Sequence, residues 1–300
     1  MKRSTGDLFA RLALAASLLA LAAPAAGQHW RFGVDADYLH DDNVTRGLDP
    51  DKRSDGILGA EAFAARSFYL GPKSGLVLRG GLRYSHFTDF KDLSNVGVGG
   101  RAAYRVQPFD AGFSSPWFEL AGDLWWLRHS DSELRDGTIA TLSGSIGSYL
   151  TDRLRGTAGL GISKRNADDA SGLFNQSQSR LFATLDWRIG IRNVVYARVS
   201  QISGDQHFSA ADPASQGMLV PVSEVIVFDP ALQRGYSGGL TPFSYRTEAT
   251  TQVYELGFNY PLGGPHTLDF GAALARSKTD NGGYKYDSNQ FRLSYFYRFQ

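Results

Sequence analysis

Apolar and polar residues alternate one by one along many segments of this chain, and the first and last segments show the pattern most clearly. Residues 30–38 carry apolar side chains at every even position and small or charged ones at every odd position. Residues 291–299 carry apolar side chains at every odd position. A helix would place residues i and i+2 about 200° apart, whereas a strand places them on the same face. The chain is therefore predicted to be all-β.

Ten further segments between these two show the same alternation, which predicts twelve strands altogether. They are residues 55–68, 75–87, 95–106, 116–128, 137–150, 153–164, 178–189, 193–203, 249–262 and 266–277. The second strand fits least well, because Arg66 interrupts its apolar positions near one end. A β-bulge at Arg66 is the expected cause, since an extra residue shifts the alternation.

The connections between these strands alternate in length. The long, polar ones are residues 39–54, 88–94, 129–136, 165–177, 204–248 and 278–290. The others are mostly tight turns, such as Gly71-Pro72-Lys73-Ser74 and Thr151-Asp152, with 107–115 as the longer exception. Transmembrane barrels have short periplasmic turns and long extracellular loops. An even number of strands then places both termini on the periplasmic side.

Aromatic residues on the outward faces are predicted to form two rows. Trp30 and Tyr38 lie at opposite ends of the first strand, ~26 Å apart along it and ~20 Å apart along the membrane normal at a tilt of ~40°. This separation is close to the apolar thickness of about 25 Å that such barrels present. No apolar run after residue 27 approaches the ~20 residues of a spanning helix. The sequence therefore predicts a transmembrane, antiparallel, up-and-down β-barrel of about twelve strands.

Residues 1–27 are predicted to be a cleaved signal peptide, and residues 28–300 the mature barrel. Lys2, Arg3 and Arg11 accompany an apolar run at residues 12–23, followed by Pro24-Ala25-Ala26-Gly27. A basic start, a short apolar core and small residues are typical of a secretory leader. Cleavage is expected between Ala25 and Gly27. The chain has 0 cysteines, so neither a lipid anchor nor a disulfide framework is expected.

The two ends of the mature chain resemble known proteins. The closing Tyr295-Phe296-Tyr297-Arg298-Phe299-Gln300 resembles the C-terminal assembly signal of Gram-negative outer-membrane barrels, except that Gln300 follows the final aromatic residue. The run Asp41-Asp42-Asn43-Val44-Thr45-Arg46 is similar to the start of many proteobacterial porin-like barrels. The resemblance implies an outer-membrane location and contact with outer-membrane lipid. It also implies recognition by the barrel-assembly machinery through Tyr295, Tyr297 and Phe299.

Inward positions are predicted to line a pore, and arginine is the main cation among them. The candidate pore-lining residues are Arg79, Arg83, Arg101, Arg105, Arg155, Arg180, Arg188, Arg198, Arg292, Arg298, Asp35, Glu119 and Asp123. Arg79 and Arg83 share one face of their strand, so their guanidinium groups could form a ladder for anions. A structural network of arginines and carboxylates is an equally good interpretation. Small monomeric porins for acidic sugars have a similar architecture, which is an analogy only.

Two functions follow from this interpretation. The first is a porin-like channel for small solutes, with a preference for anions through the lumenal arginines. The second is a non-conducting barrel that is structural or presents its loops to partners. A lipid-acting hydrolase is disfavoured, because consecutive residues such as His129-Ser130-Asp131 face opposite ways in a strand. No metal or cofactor motif appears, and a net charge of +1 gives no basic footprint for nucleic acid.

Residues 204–248 form a connection that is too long and too apolar for a solvated loop. It contains the apolar stretches 217–222 and 225–228. An inward constriction or a cap is favoured over an additional hairpin that would give fourteen strands, because Pro221 and the short spans argue against strands. In the constriction, Glu224 and Arg234 are expected to pair with wall charges such as Arg83 or Asp35.

Overall fold

A computed structural model describes residues 30–110, 112–236, 239–281 and 283–299 of the chain, and the predicted leader lies outside these residues. Twelve long antiparallel strands form a closed barrel, and a thirteenth, short strand lies beside it. The strands are β1 (Trp30–Asp41), β2 (Asp55–Gly71), β3 (Ser74–Phe87), β4 (Asn95–Val106), β5 (Trp117–His129), β6 (Gly137–Tyr149), β7 (Leu154–Ala167), β8 (Gln176–Ile189), β9 (Asn193–Ala210), β10 (Val225–Phe228), β11 (Phe243–Gly263), β12 (His266–Thr279) and β13 (Lys285–Arg298).

The helices are short and lie in the connections. The α-helix α1 is Pro213–Leu219, and 3-10 helical turns occur at Lys91–Leu93, Gly112–Ser114, Glu133–Arg135, Val220–Val222 and Pro230–Gly235. Within the described residues, no helix is long and apolar enough to cross a membrane. Asp212 caps α1 by accepting hydrogen bonds from the backbone N–H groups of Ala214 and Ser215.

Pairing between the first and last strands closes the barrel. β1 pairs with β13 from Gly33 opposite Arg298 to Asp41 opposite Gln290. β9 pairs directly with β11, so β10 is not part of the closed ring and only adds four residues to the edge of β11. A membrane-crossing strand needs about 9–11 residues. The prediction of an all-β barrel with twelve spanning strands is confirmed, and the fourteen-strand alternative is wrong.

Two local predictions about the strands are wrong. The predicted loop 204–248 is shorter, because residues 204–210 of β9 pair with residues 243–249 of β11 as a two-stranded ribbon. The connection between them is therefore residues 211–242. The bulge expected at Arg66 is also absent from β2, whose register with β3 shifts between Tyr69 and Gly71 instead. Arg66 keeps an outward position, where its guanidinium lies between the rings of Trp30 and Phe68, which shields its charge.

Connections of different length occupy the two ends of the barrel. Residues 42–54, 88–94, 130–136, 168–175, 211–242 and 280–284 connect strands at one end, here called the loop end. The other connections lie at the opposite end, called the turn end, where β1 begins and β13 finishes, and all of them except residues 107–116 are shorter than those at the loop end. At the turn end, Gly190, Gly263 and Gly264 have φ values of 64°, 106° and 57°, which glycine adopts without strain.

Buried apolar side chains are concentrated at the loop end in two clusters. The ribbon cluster consists of Phe208, Ala210, Leu219, Tyr245, Ala249, Tyr284 and Tyr286, with Leu48 and Phe243 packed against it. The rim cluster consists of Phe90, Leu93, Ala211, Ala231, Leu232 and Tyr236, with Val44, Phe87 and Leu240 packed against it. Along the barrel, in contrast, large apolar side chains such as Leu124, Leu160 and Leu256 are exposed on the outer face. That arrangement suits a barrel surrounded by lipid.

Candidate functional site

The inward wall carries arginine–carboxylate pairs, and the first group lies on β1, β2, β3 and β13. Arg79 donates to Asp35 at 3.0 Å and to Glu61 at 2.5 Å. Arg298 also donates to Asp35. Phe63 lies between the two arginines, with their guanidinium carbons 3.6 and 4.8 Å from its ring centre. Each charge in this group therefore has a partner of opposite sign.

Two further groups continue the pairing around the wall. On β4 and β5, Arg101 binds Asp123 at 3.0 Å and Arg105 binds Glu119 at 2.7 Å. On β7 and β8, Arg155 binds Asp186 at 2.5 Å. These contacts are cross-strand ion pairs that neutralise both partners and fix the registers of neighbouring strands.

The fourth group lies on β9, β11, β12 and β13 and includes a tyrosine. Glu255 accepts from Arg198 at 3.2 Å and from Arg292 at 3.0 Å. Arg292 also binds Asp269 at 3.2 Å, and the Tyr196 hydroxyl donates to Asp269 at 3.0 Å. Most of the candidate pore-lining arginines therefore belong to ion-pair networks and do not form a ladder of free guanidinium groups. They are Arg79, Arg101, Arg105, Arg155, Arg198, Arg292 and Arg298.

Three of the candidate pore-lining arginines lack an ion pair among the described residues. Arg83 stacks on Trp125, with its guanidinium carbon 4.5 Å from the ring centre. Arg180 donates to the Ser200 hydroxyl at 3.2 Å. Arg188 has no side-chain partner in the part of the chain that the structure describes. The unpaired positive charge of the wall is therefore confined to a few positions.

The paired arginines still border open space inside the barrel. The side chains of Arg101, Arg105, Arg155, Arg198, Arg292 and Arg298 are 42, 58, 44, 39, 40 and 43% exposed. Because these side chains point inward, the exposed surface faces the lumen rather than lipid. Small inward residues such as Thr141, Ser143 and Ala273 leave room beside them. The lumen is therefore accessible to water and is not filled by packed side chains.

The loops of the loop end contact one another, and Asp51 is one centre of these contacts. Its carboxylate accepts hydrogen bonds from the backbone N–H groups of Ala211 and Asp212 at 2.8 and 2.9 Å. Its carbonyl oxygen accepts from the Tyr236 hydroxyl at 3.1 Å. Burial raises the pKa of Tyr236 above its ordinary value, and the nearby negative charge of Asp51 adds to the effect. The loop between β1 and β2 is thereby fixed to the connection 211–242.

Loops from other parts of the barrel's circumference are fixed in the same way. Asp229, in the connection 211–242, forms an ion pair with Arg135 from the loop between β5 and β6. Arg246, in the middle of the ribbon, donates to the carbonyl oxygens of Gly172 and Asn175 at 2.6 and 3.1 Å. The Tyr284 hydroxyl accepts a hydrogen bond from the backbone N–H of Leu48 at 2.9 Å.

These contacts define a cap at the loop end. Connections that are not neighbours around the barrel, such as 130–136 and 211–242, contact each other, so these loops converge over the opening. The cap is the set of described residues within 42–54, 88–94, 130–136, 168–175 and 211–242, together with Tyr284. It covers one end of a water-accessible lumen.

Glu224 and Arg234 belong to this cap and not to a constriction in the wall. Glu224 pairs with Arg246 at 3.0 Å, and Arg234 pairs with Asp92 at 3.4 Å. The expected pairing with Arg83 or Asp35 is wrong, because the ribbon of β9 and β11 carries the connection away from the barrel wall.

The predicted assembly residues lie together on the outer face at the turn end. The Tyr295 hydroxyl is 2.6 Å from His266 Nδ1, and the rings of Tyr297 and Phe299 meet edge to face at 4.7 Å. The Phe299 backbone N–H donates to the Phe32 carbonyl at 2.9 Å, which joins the end of the chain to β1. The side chains therefore form an aromatic patch beside the seam that closes the barrel.

The histidines considered as candidate catalytic residues contact side chains other than those adjacent to them in the sequence. His129 Nδ1 lies 3.2 Å from the carboxylate of Asp136, not from the adjacent Asp131. His86 Nδ1 lies 3.4 Å from the Ser94 hydroxyl oxygen, which also accepts the backbone N–H of Phe87 at 3.1 Å. Ser94 is buried. The expectation that the chain is not an enzyme stays a prediction.

Sequence reasoning missed several residues at the loop end, among them Arg165, His207 and Asp229. The alternation predicts a seventh strand that ends at residue 164 and leaves Arg165 in a loop, whereas β7 continues to Ala167. Extending the alternation by one step would have assigned Arg165 an inward position. Nothing in the sequence pairs Asp229 with Arg135.

No protein-family model and no curated protein matches the sequence. Solved structures match its fold. An outer-membrane channel from Pseudomonas putida F1 is 11% identical, covers 92% of this chain and 99% of its own, and has a TM-score of 0.54. The translocator domain of the autotransporter NalP from Neisseria meningitidis is 13% identical, with coverages of 98% and 96% and a TM-score of 0.44. KdgM porin is 9% identical, with coverages of 89% and 99% and a TM-score of 0.40. The chain has the fold of an outer-membrane β-barrel protein.

Proposed function

We propose that this chain is a porin-like channel for small polar solutes, closed at one end by its cap. The exposed lumenal side chains of the paired wall arginines carry the proposal, because a barrel filled with packed side chains would bury them. A polar lumen that holds water is the property a diffusion channel requires. The similar barrel from Pseudomonas putida F1 is also an outer-membrane channel.

We place the channel in the bacterial outer membrane, with the loop end outside the cell. The predicted leader, the lipid-facing outer surface and the short connections at the turn end support this orientation. The cap then forms an extracellular gate. Because the cap is held by contacts among loops, it can be altered without changing the register of any spanning strand.

Anion preference is the finer part of the proposal. The networks neutralise most wall arginines, so selectivity depends on the few unpaired ones, including Arg83 and Arg180. Their positive charges on the wall of a water-filled lumen favour negatively charged solutes. We expect a modest preference, measurable as a reversal potential in a salt gradient.

The direct test compares the full-length barrel with a variant that lacks the cap connection. Ala210 lies opposite Phe243 in the ribbon, so replacing residues 211–242 by Asn-Gly gives a two-residue hairpin turn. We expect single-channel conductance in planar bilayers to be low for the natural chain and severalfold higher for the variant. Both proteins should show heat-modifiable migration on gels. A folded variant that does not conduct would overturn the proposal.

A non-conducting barrel that presents its loops is the second candidate. The two apolar clusters support it, since they give the cap a packed core of its own. The same experiment separates the two functions, because a surface-presenting barrel would remain silent when the connection is removed.

A further inference from the structure

Several cationic groups meet where the barrel wall joins the cap, and Phe174 lies at their centre. The guanidinium carbons of Arg135 and Arg165 lie 4.3 and 5.4 Å from the centre of its ring. The His207 ring lies 5.1 Å from it, edge to face. Arg46 Nη1 is 3.4 Å from His207 Nδ1. The Gln176 amide nitrogen lies 3.2 Å from the same His207 Nδ1. Since both neighbours are donors, Nδ1 is the acceptor that orients them.

Arg83 faces the same region from β3. Its guanidinium lies against the ring of Trp125, and two glycines of β4 leave the space for this contact. A Cβ atom at Gly97 would lie 3.0 Å from Arg83 Nε, and one at Gly99 would lie 2.6 Å from the Trp125 ring. Arg83 makes no hydrogen bond or ion pair with any described residue. The five N–H donors of its guanidinium are therefore available to a ligand.

The strand registers bring Arg83 and Arg165 to the same part of the wall. Trp125 lies opposite Ile139, and Ile139 lies opposite Arg165. Two strand spacings therefore separate Trp125 from Arg165, a distance of about 10 Å. The positive charges that act on Arg165 are those of Arg135, Arg46 and Arg83.

The carboxylates in this region are already engaged. Asp229 is bound by Arg135, and Asp136 is bound by His129 and its backbone N–H. Glu61 acts on Arg83 electrostatically but is held by Arg79 at 2.5 Å.

Three arginines therefore share a partly buried space without a carboxylate partner among the described residues. Arg165 donates to the carbonyl oxygen of Arg135 at 2.7 Å and forms no ion pair with a described carboxylate, although the charge of Asp136 acts on it from a distance. Unpaired like charges that are partly removed from water repel each other and are costly. Among the described residues, Arg46 is also the non-glycine residue with a positive φ, at 54°, which is a backbone conformation that such residues rarely adopt. Arg46 adopts this backbone conformation at the point where its side chain contacts His207.

We propose that Arg46, Arg83 and Arg165 form a binding site for an oxyanion, the carboxylate or phosphate group of a small solute, beneath the cap. Guanidinium groups bind such anions through two parallel N–H donors, and one bound oxyanion would compensate the charges that the protein leaves unpaired. The site rests on the proposed function only in that the solute reaches it through the lumen.

The test is calorimetric titration of the full-length, detergent-solubilised barrel with inorganic phosphate and with citrate. Arg83→Gln and Arg46→Gln each remove one guanidinium group from the proposed site. Arg46 lies in a loop, so its replacement leaves the strand registers unchanged. Arg128→Gln is the matched control, because Arg128 also lies near the loop end, on β5, but its side chain points outward. We expect affinity for at least one anion to fall about tenfold in Arg83→Gln and Arg46→Gln, and to stay unchanged in Arg128→Gln.

Two results would overturn the site: no binding of either anion by the natural chain, or equal affinity in the natural chain, Arg83→Gln and Arg46→Gln. Heat-modifiable migration shows which variants have folded. The outcome is independent of the channel proposal, since binding is measured in detergent. If the natural chain binds an anion but the variant without the cap connection does not conduct, the channel is rejected and the site is retained. If the variant conducts but the natural chain binds neither anion, the site is rejected and the channel is retained.

Discussion

Arg135 and Asp229 form a two-pronged ion pair that joins the loop between β5 and β6 to the connection 211–242. Arg135 Nη1 and Nη2 lie 2.9 and 2.5 Å from the two carboxylate oxygens of Asp229. Their side chains are 8% and 0% exposed. The hydroxyl of Ser244 donates to the same carboxylate at 2.5 Å. Asp229 thus has hydrogen bonds from a loop and from the ribbon, and it holds three parts of the loop end together.

Replacing Asp229 by Asn should open the cap. The amide removes the negative charge and leaves Arg135 buried without its partner, which costs about 3–5 kcal/mol. We expect faster proteolytic cleavage within residues 211–242 and a higher conductance than in the natural chain. Limited proteolysis of the protein in detergent, together with bilayer recordings, measures both effects.

Arg234→Gln is the control for Asp229→Asn, because it breaks an ion pair in the same connection that is open to solvent. Arg234 lies 3.4 Å from Asp92, and its side chain is 64% exposed. Such pairs contribute less than about 1 kcal/mol, so cleavage rates should hardly change. Equal effects of the two substitutions would show that the buried pair has no special role in closing the cap.

The cap should loosen at alkaline pH. The ordinary pKa of tyrosine is near 10, and burial raises the pKa of Tyr236 above it in the closed cap. The closed state therefore keeps its full stability below pH 10. Above that pH, Tyr236 ionises readily when the cap is open but not when it is closed, so stability falls. Proteolysis across this range should show cleavage rising with pH.

Tyr236→Phe should make that pH dependence shallower, since one of the tyrosines that titrate on opening is removed. It also deletes the hydrogen bond to Asp51, so cleavage at neutral pH should rise modestly. Tyr69→Phe is the control, because Tyr69 is at the turn end and 81% exposed. A profile unchanged by Tyr236→Phe would assign the alkaline loosening to other groups.

Gly257→Ala should destabilise the barrel wall. A Cβ atom at Gly257 would overlap the ring of Tyr196, whose hydroxyl donates to Asp269 and accepts from Arg292, both at 3.0 Å. Displacing Tyr196 disturbs both contacts, and overpacking of this kind costs about 1–3 kcal/mol. The loss is measurable as a lower urea midpoint for unfolding in detergent.

Gly144→Ala provides the comparison for Gly257→Ala. Gly144 is also in the middle of a strand, β6, but a Cβ atom added there would have no heavy atom within 4 Å, apart from its chain neighbours. Its substitution should change stability by less than about 0.5 kcal/mol. If both alanines lower the midpoint equally, the space occupied by Tyr196 is not the cause.

The spanning strands could be predicted because lipid and water impose opposite requirements on their two faces. The ribbon could not, since side chains on both faces of residues 206–210 are buried or partly buried at the loop end. Gln206 and Phe208 share one face, Ser209 lies on the other, and all three are buried, so the two faces no longer differ in polarity. Tertiary contacts with the loops, and not the pattern within the segment, stabilise these residues as strands.

The sequence alone also could not decide between an arginine ladder and an ion-pair network. Glu61 is directly opposite Arg83 in the register of β2 and β3. Its ion pair nevertheless forms with Arg79, further along the inward face, while Arg83 turns to Trp125. Strand parity identifies which side chains share the lumen. The partner of each depends on rotamers and on the space left by residues such as Gly97.

Phe299→Ala should reduce assembly into the outer membrane. Phe299 packs on Tyr297 and lies on the outer face where β13 meets β1, so it is exposed to any factor that recognises the closing strand. We expect less heat-modifiable protein in outer-membrane fractions and more degradation in the periplasm. Phe291→Ala is the control, because Phe291 has the same outward orientation on β13 but lies toward the loop end. Normal assembly of Phe299→Ala would mean that recognition depends on other residues, whereas equal losses in both variants would indicate a general requirement for aromatic residues on this strand.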